Sequence, residues 1–154
     1  MLDLLISFYD NSDSLYCLGY SPLMSSFLIL VTASPQSTQA HLTALKFAQQ
    51  LVTDHIELKS IFFYQDAVSV ALNSLLPPSD EPQITERWSI FAQKNQIELQ
   101  TCVAASLRRG LMGAEEAKEH QIACANLAPA FSMAGLGQLA AGLNDPSVKL
   151  IHFK

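Results

Sequence analysis

Phe27-Leu28-Ile29-Leu30-Val31 is an unbroken apolar run. A strand that is apolar on both faces must be covered on both faces, and that condition belongs to parallel sheets with helices above and below. The sequence downstream supplies those helices. Ala40, Ala44, Phe47, Ala48, Leu51 and Val52 recur at helical spacing. Ile56 to Tyr64 reads as a second strand, with Leu58, Ile61, Phe62 and Phe63 as its body. Asp66 is then expected to cap a short helix carrying Val68, Ala71, Leu72 and Leu75.

The alternation continues. Pro77-Pro78-Ser79-Asp80-Glu81-Pro82 is a stiff loop ending in a helix start, and Ile84, Trp88, Phe91 and Ala92 form the next amphipathic face. Ile97 to Cys102 is the third strand, followed by a short helix that stops at Gly110. Gly113 to Lys118 opens another helix with acids in its first turn. Ile122-Ala123-Cys124-Ala125 is expected to be a small fourth strand. Ser132 is expected to cap a helix through Met133, Leu136, Leu139 and Ala140, closed by Gly142. Within it, Gly135-Leu136-Gly137 would allow close helix packing. Val148 to Phe153 is the last strand. The expected architecture is α/β: a three-layer α/β/α sandwich with a mainly parallel sheet of about five strands, its strand order open. Residues 1–26 differ from the rest, being turn-rich yet apolar, and read as an extension or a mis-called leader ahead of a start at Met24. The domain proper is 27–154.

Composition bounds the function. The chain has 154 residues, 49% of them hydrophobic, enough for one domain with a full core. Charged residues make up only 15%, a low share that predicts burial against other subunits. A formal net charge of -5 opposes direct binding to nucleic acid, whose affinity rests on clustered Lys and Arg. The three cysteines, Cys17, Cys102 and Cys124, form no C-x-x-C pair and no zinc spacing. That usage fits a reducing cytoplasm. No basic secretory n-region opens the chain, and no apolar run reaches the ~20 residues of a membrane span.

Candidate chemistry centres on Cys102. It sits where the third strand runs into a helix, at the carboxyl rim where open α/β sheets place their sites. The helix amino end would favour thiolate, the form that attacks sulfur. A small buried side chain is the alternative for Cys102. Arg108 and Arg109 are read as neutralising the carboxyl end of their own helix or facing a partner subunit. Ser106 is read as bonding within the helix. Cys124 is read as a buried small residue, or as the resolving partner of Cys102 in a thiol redox enzyme, which needs the two Cα atoms within ~7 Å. Cys17 is assigned no role. His41, His55, His120 and His152 show no metal spacing and read as solvated or hydrogen-bonded structural residues. The loop Ala33 to Thr38 lacks glycine, so no nucleotide cofactor is expected there.

Thr101-Cys102-Val103-Ala104-Ala105-Ser106-Leu107-Arg108-Arg109-Gly110 resembles the cysteine motif of the DsrE-type sulfur-relay family, and within it the TusD group. Phe62-Phe63-Tyr64, Ser79-Asp80-Glu81 leading to Trp88, and Phe131 to Gly137 resemble that family in the same order. The resemblance covers nearly everything from Phe27 to Phe153. It implies the three-layer fold and a cytoplasmic heterohexamer with TusB-like and TusC-like subunits. It also implies a TusA-like sulfur donor and a TusE-like acceptor. By match of motif, Cys102 would carry persulfide sulfur that ends as the 2-thio group of a tRNA wobble uridine. The alternatives are the Cys102/Cys124 redox enzyme and a non-catalytic assembly subunit of a relay complex. None of these needs a metal or cofactor, direct nucleic-acid contact or a membrane.

Overall fold

The computed structural model describes residues 25–154. Cys17, Met24 and the expected leader of residues 1–26, apart from Ser25 and Ser26, fall outside the described residues, and Ser26 already belongs to the first strand. Five strands form one sheet: β1 (Ser26–Val31), β2 (Leu58–Phe63), β3 (Glu98–Cys102), β4 (Phe131–Ala134) and β5 (Val148–Phe153), in the order β4-β3-β2-β1-β5. Every pairing is parallel. The helices are α1 (Ala40–Thr53), α2 (Ile84–Asn95), α3 (Val103–Leu107), α4 (Ala114–Glu119) and α5 (Leu136–Gly142).

Alternation along the strands assigns the layers. Phe27 meets Phe47 of α1 edge-on, so Phe27, Ile29 and Val31 look toward α1. The register Val31↔Phe63 and Phe63↔Thr101 carries that face across to β3. There Phe63 packs against Trp88 of α2 and against Phe131. Leu28 points the other way, where a Cβ on Gly142 of α5 would approach its Cδ1 to 3.2 Å. The helices α1 and α2 therefore cover one face and α5 the other, as expected for three layers. The first face is the thicker: Ile29, Val31, Ile61, Phe63 and Trp88 are fully buried, whereas α5 buries none of its residues.

Several local expectations fail for physical reasons. Ile122–Ala125 forms no strand: all four residues are exposed, and the chain turns at Gln121 with φ 55°. The fourth strand is Phe131–Ala134, so Ser132 lies in the ladder, where its hydroxyl donates to the Leu99 carbonyl at 3.3 Å. The following helix starts instead at Gly135, whose N–H donates to Gln138 Oε1 at 2.8 Å. A Cβ at Gly135 would meet only the Gly137 nitrogen, at 3.9 Å, and one at Gly137 nothing within 4 Å, so neither serves close helix packing. The segment after β2 is a 3-10 helix, Gln65–Ala71, with no cap from Asp66, and Leu72 is already extended. The second strand also starts two residues later than expected, at Leu58.

His41 is a structural residue at the carboxyl end of the sheet. Its Nε2 lies 2.9 Å from the Ala33 carbonyl, and its Nδ1 accepts from Trp88 Nε1 at 3.4 Å. Its ring stacks on Phe63 with centroids 5.8 Å apart. Both partners demand the neutral ring with the proton on Nε2, because a proton on Nδ1 would confront the indole N–H. Burial lowers its pKa from 6.5 to about 4, against a smaller opposing effect of the Ala33 carbonyl. The unfolded chain thus binds a proton near pH 6.5 that the folded chain refuses until about pH 4. Stability from this residue is complete above pH 6.5 and is lost as the pH falls toward 4, by about 3 kcal/mol in total. Urea unfolding between pH 7 and 4 is expected to show this slope, and a His41→Asn variant to lack it.

Candidate functional site

The strand β3 ends at Cys102 and α3 begins at the next residue, with no loop between them. Cys102 is the last rung of the ladder, paired with Ala134, and is also the N-cap of α3 with extended backbone, φ -62° and ψ 116°. Its thiol makes no cap hydrogen bond. The strand-to-helix seam thus lies where the sequence placed it. Cys102 is 1% exposed and belongs to the packed core, the burial that the alternative reading of this residue expected. The helix is also only five residues long, so its macrodipole is that of little more than one turn.

The turn of α3 has an inward face. Cys102, Ala105 and Ser106 are buried, while Ala104 and Arg108 are exposed. These buried positions are i, i+3 and i+4, the spacing of one helix face. Gly110 ends the helix with φ 71°. The N–H of Gly110 bonds to Leu107 and that of Leu111 to Ser106, a Schellman closure that turns Leu111 into the core. Asn126 staples this exit: its Nδ2 donates to the Gly110 carbonyl and its Oδ1 accepts from Met112 N, each at 2.8 Å.

Arg109 does what its position suggested and more. Its Nη1 donates to the Ala105 carbonyl at 3.2 Å, satisfying the carboxyl end of its own helix. Its Nη2 and Nε donate to Asp66 Oδ1 at 2.7 and 3.1 Å. The ion pair ties α3 to the 3-10 helix, which packs against both α3 and β3. Asp66 was read as a cap, and nothing in the spacing of two residues so far apart signals the pairing. The hydroxyl of Ser106, expected to bond within the helix, has no partner.

The second thiol does not join the first. Cys102 is buried and Cys124 exposed, and both are free, so Cys124 is not the buried residue expected. A cavity of about 390 Å³ lies beside the loop after β1, lined by Pro35, Gln36, Thr38, His41 and Glu81 among others. Glu81 brings negative charge to it, unfavourable for phosphate. A groove of about 600 Å³ between α1 and α2 is also separate from Cys102. Among the described residues no cluster of His, Cys, Asp or Glu has the makings of a metal site. No helix among them is long and apolar enough to cross a membrane.

Known proteins match this chain over most of their length. The chain is similar to the sulfurtransferase TusD homolog of Aliivibrio fischeri, 44% identical over 115 residues, covering 75% of this chain and 88% of that protein. It is similar to sulfurtransferase TusD of Pectobacterium carotovorum, 41% identical over 117 residues, covering 76% of this chain and 91% of the relative. The TusD homolog of Vibrio cholerae is 41% identical over 118 residues, covering 77% and 90%. Among solved structures, the ychN protein from E. coli superposes with a TM-score of 0.66 at 18% identity, covering 84% of this chain and 99% of that one, which supports the fold alone. Residues 25–153 match the DsrE/DsrF-like family, and with these relatives they show that the chain belongs to that family, in its TusD group.

Proposed function

We propose that the chain is a sulfurtransferase subunit of a sulfur relay, in which Cys102 carries the sulfur. The observation that carries this reading is the seam itself: an uncommitted thiol fixed at the carboxyl end of β3, in the stretch Thr101–Gly110 that resembles the family's cysteine motif. The names of the TusD relatives support the reaction class.

The reaction is an exchange that needs no outside oxidant. Cys102 thiolate attacks the outer sulfur of a donor persulfide, R–S–SH. The donor S–S bond breaks, the Sγ–S bond of Cys102–S–SH forms, and R–S⁻ leaves. An acceptor thiolate then attacks the outer sulfur, and Cys102 departs as thiolate. The donor in this reading is a TusA-like protein and the acceptor TusE-like, with TusB-like and TusC-like subunits completing a cytoplasmic heterohexamer. The end product is the 2-thio group of a tRNA wobble uridine. The net charge of -5 suits protein partners better than tRNA.

Burial of Cys102 favours one second reading, a non-catalytic assembly subunit. In the relay reading, burial shields a reactive sulfur from stray oxidation, and transfer requires the rim to open. The Asp66–Arg109 pair ties the outer edge of that rim, with both side chains substantially exposed. Such a pair contributes about 0–1 kcal/mol, little against the burial of the core.

Peptide-resolved mass spectrometry after incubation with a loaded donor protein is expected to find one added sulfur on Cys102. The Cys102→Ser protein is expected to assemble with its partners and take up none. Sulfur uptake by Cys102→Ser, or none on Cys102 in the wild type, overturns the relay role, and the second outcome selects the assembly subunit. A Cys102–Cys124 disulfide in place of the adduct would instead establish the redox enzyme. Asp66→Asn is expected to speed alkylation of Cys102 by iodoacetamide up to about fivefold. The rate at exposed Cys124 should stay unchanged, giving an internal reference.

A further inference from the structure

Ser106 is fully buried, and its hydroxyl has no hydrogen-bond partner. A buried hydroxyl without a partner is destabilising, and alanine would suit this helix position better on intrinsic preference. The neighbouring hydroxyl of Thr101 is by contrast engaged, donating to the Ser132 carbonyl at 3.2 Å. The placement of Ser106 is specific. An α-helix starting at Val103 bonds the Ser106 N–H back to the Cys102 carbonyl. The two residues thus stand one turn apart on the inward face of α3, both shut off from water.

We propose that the Ser106 hydroxyl is the hydrogen-bond donor for the outer sulfur of a Cys102 persulfide. This inference rests on the relay reading above. In the resting thiol the hydroxyl finds no partner, sulfur included. Loading adds a second sulfur ~2.05 Å beyond Sγ, and that sulfur carries the negative charge of the deprotonated persulfide. A hydroxyl donating to an anion in a dry site makes a stronger hydrogen bond than one donating to a neutral acceptor. The bond exists only in the loaded state, so it stabilises the persulfide relative to the thiol and holds the sulfur until an acceptor thiolate attacks. No electrons are exchanged beyond the transfer itself, in which one S–S bond breaks and one forms.

The test uses the full-length chain and its Ser106→Ala variant, each equilibrated with glutathione persulfide and glutathione, with sulfur on the Cys102 peptide measured by mass spectrometry. The ratio of loaded to unloaded Cys102 is expected to fall about tenfold in Ser106→Ala. The melting temperature of the unloaded variant is expected to equal or exceed that of the wild type, because an unsatisfied polar group has been removed. A purely structural role for Ser106 predicts the reverse, a lowered melting temperature with unchanged loading. Equal loading ratios in the two proteins overturn the assignment of Ser106 while leaving Cys102 as carrier. No sulfur on Cys102 in the wild type overturns both.

Discussion

All five strands run parallel, so every strand delivers its carboxyl end to the same rim. That one constraint organises the molecule. Parallel neighbours cannot be joined by tight turns, so each connection must leave the rim and cross a face. Apolar strands then require those crossings to be helices that cover them. The rim also collects the groups that strand ends and helix starts leave unpaired, which is why Cys102, Ser106, Asp66 and Arg109 lie on the connections gathered there. His41 secures the same rim on the β1 side, joining the loop at Ala33 to Trp88 of α2.

The parts legible in sequence were those whose pattern is set by burial on a large scale. β1 falls where its apolar run placed it, and α1 spans the expected helical repeat. Gly110 was legible because a helix end in left-handed backbone favours glycine. Short elements were not. The four residues of β4 offer too little periodicity to separate strand from helix, and a serine such as Ser132 suits a cap as readily as a sheet rung. Ile122–Ala125 had the composition of a strand, but all four residues lie exposed on the surface and the sheet ends at β4 and β5 without them. At the site, the seam at Cys102 was legible and its burial was not. Burial depends on the 3-10 helix arriving from between β2 and α2, and no local pattern encodes that approach.

The low share of charged residues has a structural counterpart. The face bearing α5 is thinly covered: that helix buries none of its residues, and Leu136 and Leu150 remain exposed there. The opposite face is sealed by two longer helices, yet Ile90 of α2 is exposed as well. Scattered apolar side chains are ordinary on protein surfaces, but here Leu150 lies at the β5 end of the sheet, where no strand residue is buried. Assembly with other subunits is the economical way to complete that layer, in line with the relay complex proposed for the chain.

A sulfur carrier faces two opposed demands. Its thiol must be reactive enough to take sulfur, and its persulfide must survive water and oxidants until delivery. A cysteine open to solvent meets the first demand at the expense of the second. If Cys102 is the carrier proposed above, the arrangement around it would separate them in time. The closed rim keeps the sulfur away from solvent, and a surface ion pair, Asp66–Arg109, ties α3 to the 3-10 helix at its outer edge. In the relay proposed above, docking of a partner with complementary charge to either side chain would compete with that pair and so couple partner binding to exposure of the sulfur. Protection is then lifted only where a legitimate acceptor is already in place, which is the condition a relay imposes and a freely diffusing thiol cannot meet.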